Sequence, residues 1–269
     1  MRGGARLHRH VFLPVLIALI ALAWGLLWAW SFSPYAAYLA HGDWVAEGPV
    51  AELCRVLPAG RLLVPAALSA LAWLLMSCAM MLPSTLPLFE VLARLTRQRA
   101  DRGRLLGLLG LGYLLAWGLF GLLVHGLHGL LLAGIDRLPL LARHAWLLGA
   151  ASLAAAGAFQ FSRLKYLCLE QCRTPLSFAM AHWHGGRHPG RQAFALGAHH
   201  GLFCVGCCWA LMLLMFVVGM GHLGWMLLLA AAMAVEKNFA WGRRLSRPLG
   251  WLLLAGAGGL LLLRLAGPA

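Results

Sequence analysis

Five side chains able to bind soft metal ions recur at helical spacing along one stretch of this chain: His200, Cys204, Cys208, Met212 and Met215. Residues three or four apart stack on one helix face. The stripe therefore reads imidazole, thiol, thiol, thioether, thioether, with Cys207 at its border and His199 at its mouth. Thiolate and thioether favour soft ions, and imidazole accepts soft and borderline ones alike. The chemistry this pattern points to is capture of copper(I) or zinc, with the methionines favouring copper. The competing account is packing, because Cys and Met fill apolar space well; for any one of these residues alone, packing suffices.

Other candidates cluster near this stripe. Cys168 and Cys172 form a CxxxC pair in a loop before it, and on a helical turn both sulfurs would face one ion. His182, His184 and His188 follow in a Trp- and Gly-rich hinge. Met76, Cys78, Met80 and Met81 form a second soft group, which ends at Pro83 and Pro87. The prolines predict a break there, and the carbonyls they free must face protein or water rather than lipid. Folding the chain about Gly219-Met220-Gly221 sets Cys208 opposite Met233, and Cys204 opposite Glu236 and Lys237. Glu236 is then either a ligand, an acceptor orienting a histidine, or an interfacial acid paired with Lys237. Glu90 closes the inner mouth or pairs with Arg94 at i+4. His125 and His128 suit the outer interface better than a second site with His222 or Asp136.

The elements that position these residues follow from composition. Of 269 residues 62% are hydrophobic and 11% charged, against roughly 25% charged in soluble domains. With a mean hydropathy of +0.79, the chain is an integral membrane protein. Apolar runs long enough to cross a bilayer lie near 11–32, 62–82, 105–126, 144–162, 196–219, 222–237 and 248–264. The first lacks a small-residue cleavage site and reads as an anchor. The expected fold is all-α, a polytopic transmembrane helical bundle of about seven spans forming one membrane domain over residues 1–269.

The formal charge of +14 is distributed unevenly. Basic residues group near 2–9, 94–104, 163–191 and 237–247, leaving Arg55, Arg61, Arg137, Arg143 and Arg264 to the opposite side. That asymmetry predicts a cytoplasmic N-terminus by the positive-inside rule. It assigns the basic patches to anionic lipid headgroups rather than nucleic acid. Cys54 alone falls outside, and the other six cysteines fall near the inner face, where thiols stay reduced. No phosphate loop or nucleophile triad is visible.

The residues from Gln160 to Glu236 resemble a bacterial family of uncharacterised, predicted metal-binding integral membrane proteins. The resemblance is carried by Ala79-Met80-Met81-Leu82-Pro83-Ser84, by Lys165 through Cys168, by Cys172-Arg173-Thr174-Pro175, by Gly206-Cys207-Cys208-Trp209 and by Glu236-Lys237. It covers 69–237, spans two to six, and implies a bacterial inner-membrane, multi-pass location. Some members are labelled copper chaperones. Where that family commonly carries tyrosines, this chain has Phe159 and Phe203. The expected metal residues are His199, His200, Cys204, Cys207, Cys208, Met212, Cys168, Cys172, Met80, Met81 and Glu236. The expected partners are the lipid bilayer and a metal-donor or metal-acceptor protein, or other membrane subunits. Two further functions fit the residues: a thiol oxidoreductase using Cys204 and Cys207, which form a CxxC pair, and an assembly subunit with inert thiols.

Overall fold

The computed structural model describes residues 3–33, 60–137, 146–218 and 223–266, and within them every regular element is helical. In chain order these are α1 (Gly3–Ser31), α2 (Gly60–Leu95), α3 (Arg102–Arg137), α4 (Trp146–Phe159), α5 (Arg163–Arg173), α6 (Pro175–His182), α7 (Pro189–Val218) and α8 (Leu223–Asn238). A 3-10 turn at Gly242–Leu245 then leads into α9 (Ser246–Ala266). Four stretches are long and apolar enough to cross a membrane: Ala70–Leu95, Arg102–Leu131, Pro189–Met215 and Gly242–Ala266. Ile17–Ser31 and Trp146–Phe159 are shorter apolar helices. The expected Gly219-Met220-Gly221 turn, Cys54 and His222 lie outside the described residues.

The centre of the bundle is α7, and its closest neighbour is α3. Glycines set that approach. A Cβ on Gly197 would stand 1.9 Å from the Leu109 carbonyl oxygen, and one on Gly112 would stand 2.2 Å from that of Phe194. Gly201 faces Ala116 and the Tyr113 backbone in the same way. Gly197 and Gly201 are four apart, the small-xxx-small spacing by which membrane helices bring their backbones together. This contact draws Tyr113 of α3 against the stripe on α7.

Against expectation, α2 runs unbroken through Pro83 and Pro87 to Leu95. Pro83 has no N–H to give to the carbonyl of Ala79, four residues earlier. The indole Nε1 of Trp24 on α1 donates to that carbonyl instead, at 3.1 Å. Around the same turn, Ser84 Oγ donates to Met81 O at 2.7 Å and Thr85 Oγ1 to Leu82 O at 2.8 Å. With the carbonyl freed by Pro83 satisfied from outside the ladder, the helix runs on past that proline.

The segment read from sequence as a loop is two short helices. Ser162 caps α5, its hydroxyl accepting from the Lys165 N–H at 3.1 Å. The buried residues of α5 are Lys165, Cys168, Leu169 and Cys172. Their spacing of three, one and three is a helix stripe, which presses that face onto the bundle. Thr174 ends α5, and Pro175 occupies the first turn of α6, where its missing N–H costs nothing.

The glycine contact can be tested directly. Gly197→Ala should lower unfolding free energy by about 1–3 kcal/mol through overpacking, read as a lower melting temperature in detergent. Gly107→Ala, whose Cβ would meet nothing within 4 Å, should hold or slightly raise that temperature.

Candidate metal centre

Two helices bring soft donors to one point, and a third brings a lysine to them. From α7 come Cys204 and Cys208, both fully buried. From α2 comes Met81, whose Sδ lies 3.7 Å from Cys208 Sγ. From α8 comes Lys237, whose Nζ stands 3.0 Å from Cys204 Sγ, 3.9 Å from Cys208 Sγ and 3.6 Å from Met81 Sδ. Ser84 Oγ completes the lysine's surroundings at 3.3 Å. The Tyr113 hydroxyl contacts Cys204 Sγ at 3.1 Å and lies 3.4 Å from Met81 O.

The α5 thiols border this cluster. Gly206 leaves a gap filled by Cys168, whose Sγ would sit 2.6 Å from any Cβ placed there. The neighbouring Cys204 and Cys207 thiols, together with burial, push the Cys172 thiol well above the ordinary range. Cys207 Sγ donates to the Cys204 carbonyl at 3.1 Å, and Cys208 Sγ donates to the same oxygen at 2.8 Å. All six described cysteines are free thiols.

Beside the sulfur cluster lies a buried ion pair. Lys165 Nζ sits 2.8 Å from both carboxylate oxygens of Glu236 and also donates to Gln160 Oε1. Ser246 Oγ donates to Glu236 Oε1 at 2.7 Å. Arg173 donates to the Glu236 backbone carbonyl and, at 3.0 Å, to that of Ala240, closing the C-terminal end of α8 with positive charge. Glu236 is thus held by α5 and by the start of α9. Neither a bond to histidine nor a pairing with Lys237 describes it.

The remaining candidates divide into two groups. His200 is buried one turn before Cys204, and its Nδ1 has no hydrogen-bond partner among the described residues. Its ring packs against Phe178 and Tyr113. Met212 and Met215 are fully buried one and two turns beyond Cys208, and Met80 is buried beside Met81. His199 is exposed, with its ring 5.3 Å from that of His182; it faces away from the sulfurs. His184 and His188 are exposed, as is the Glu90–Arg94 pair (3.2 Å), which sits on the surface of α2. Among the described residues, no three His, Cys, Asp or Glu side chains are arranged together to hold a metal ion. What converges is two thiols and a thioether.

Two participants escaped the sequence reading. Tyr113 is the lone tyrosine of α3, and a hydroxyl in a Leu- and Gly-rich span was the signal for it. Lys165 appeared only within a motif, without a role; its position three residues before Cys168, on the same face, was the signal.

Removing one member of the buried pair should be far worse than removing both. Lys165→Met should cost about 3–5 kcal/mol of stability by leaving the Glu236 carboxylate unpaired. The double variant Lys165→Met/Glu236→Gln should recover most of that loss in thermal unfolding.

No curated protein and no solved structure matches the chain. A protein-family model does, over residues 70–260, and its description is PpoB2, copper chaperone. The matched region takes in Met81, the α5 thiols, the α7 stripe and Lys237. On that match, which spans well over half of its length, the chain belongs to the PpoB2 copper chaperone family.

Proposed function

We propose that this protein is a membrane-embedded carrier that takes up Cu(I) at Cys204, Cys208 and Met81 and hands it to a partner protein at the inner side of the bilayer. The observation that carries this reading is the donor set. Two thiols and a thioether within reach of one point satisfy a soft d10 monocation, for which sulfur is the preferred ligand. Zinc in a closed site asks for four ligands, of Cys, His or carboxylate type, and the cluster offers too few of them. The family's copper chaperone description agrees with this choice.

The depth of the cluster supports the direction of transfer. Glu236 at the end of α8 binds Ser246 at the start of α9 and Lys165 just after α4, so these ends share one level with the sulfurs. Beyond that level α2, α3 and α7 continue, and α5 and α6 pack there. The 36-residue α2 and α3 are about 54 Å long, well beyond the ~30 Å hydrocarbon core. In this reading their basic ends project into the cytoplasm, the N-terminus is cytoplasmic, and seven spans form one membrane domain in a bacterial inner membrane. Exposed leucines such as Leu111, Leu119, Leu252 and Leu263 supply the lipid-facing surface. Cys172 and Cys168 lie on the route from the cytoplasmic extension to Cys204, and they serve as the transfer thiols. His200 Nδ1, buried with no partner among the described residues, lies one turn before Cys204, outside the sulfur set; Met212 extends the stripe on the other side.

Purified protein incubated anaerobically with Cu(I) should retain one equivalent per chain. Cys204→Ser and Cys208→Ser should each lose it, while Cys78→Ser, half-buried on α2 outside the contacts described, should keep it. Copper at about 100 times its dissociation constant should raise the unfolding free energy by about 2.7 kcal/mol, and chelation should reverse that gain. A wild-type protein that retains no copper, or serine variants that retain it fully, would contradict the assignment.

A further inference from the structure

Two lysines are buried among the described residues, and they are answered differently. Lys165 is closed by the Glu236 carboxylate. Lys237 meets sulfur instead, with Cys204 Sγ nearest at 3.0 Å, then Met81 Sδ at 3.6 Å and Cys208 Sγ at 3.9 Å. Its only oxygen neighbour among these contacts is the neutral hydroxyl of Ser84. A full positive charge therefore stands beside the very atoms that would hold the ion, with Glu236 already committed elsewhere.

We infer that Lys237 sets the charge of the ion the cluster accepts and selects a soft monocation over a dication. The inference rests on the Cu(I) reading above and deepens it. When the ion binds, both sulfurs bond to the metal as thiolates, and each proton still held on Cys204 or Cys208 leaves to water as its S–H bond breaks. Two thiolates, one Cu(I) and the Lys237 ammonium sum to zero. The same site with Zn(II) carries a net charge of plus one, buried at low dielectric, where uncompensated charge is costly. Without the ammonium the balance inverts, because two thiolates neutralise a dication and leave a monocation site negative. Met81 and Tyr113 add no charge and do not alter this sum.

The experiment measures Cu(I) and Zn(II) affinities of the full-length protein in detergent, by chelator competition, for wild type, Lys237→Leu and Lys237→Arg. Leucine removes the charge and adds no donor atom to the cluster. The Cu(I)-over-Zn(II) preference should fall roughly 100-fold or more in Lys237→Leu, as expected for losing a close charge partner in a poorly screened site. Lys237→Arg should keep the preference. Lys237→Gln provides a second neutral variant, should the leucine protein not fold. An unchanged preference in the neutral variants, with wild type still taking up Cu(I), would overturn this inference and leave the carrier reading standing. Wild type that takes up no Cu(I) would overturn both.

Discussion

Glu236 and Lys237 are consecutive residues at the buried end of α8, and each charge must find a partner away from water. The carboxylate turns to Lys165 on α5, and the ammonium turns to the sulfurs of α7 and α2. Because the two side chains leave the helix in different directions, satisfying both fixes α5, α7, α2 and α8 at one level. Arg173 adds a third tie, reaching from the end of α5 to the carbonyls that close α8. The thiols of Cys168 and Cys172 are carried against α7 by the same face of α5 that carries Lys165. The buried charges thus do more than balance one another; they assemble the sulfur cluster.

Backbone proximity supplies the rest of the geometry. The glycine contacts between α3 and α7 hold Tyr113 within reach of Cys204, and Gly206 opens the notch that Cys168 fills. Polar atoms in this region are mostly spoken for by neighbours, as a low-dielectric interior demands. Among the described residues His200 Nδ1 has no hydrogen-bond partner, and neither have Ser77 Oγ on α2 and Trp117 Nε1 on α3. The His200 nitrogen lies one turn before Cys204 and two turns before Cys208 on α7.

The alignment of the His, Cys and Met stripe was legible because helical spacing is a local rule. His200, Cys204, Cys208, Met212 and Met215 recur at intervals that only a helix aligns, and α7 does run through all of them. The opposition of Cys204 and Lys237 also followed from antiparallel folding about a short connection. Features that depend on distant partners were not legible. The continuity of α2 through Pro83 requires an indole 55 residues away in sequence, and the role of Glu236 requires a lysine 71 residues away. No periodicity encodes either. His199 shows the opposite failure: it adjoins His200 in sequence, yet neighbours on a helix point about 100° apart, so only one of the two faces the core.

The central claim is that sulfur alone, drawn from α7 and α2, grips a monovalent copper ion beside a lysine. X-ray absorption at the copper edge of the loaded protein tests it most directly. The account predicts a Cu(I) edge and an inner shell of sulfur scatterers, with one sulfur contribution lost in Met81→Leu. A copper(II) edge, or an inner shell made of nitrogen and oxygen, would contradict it.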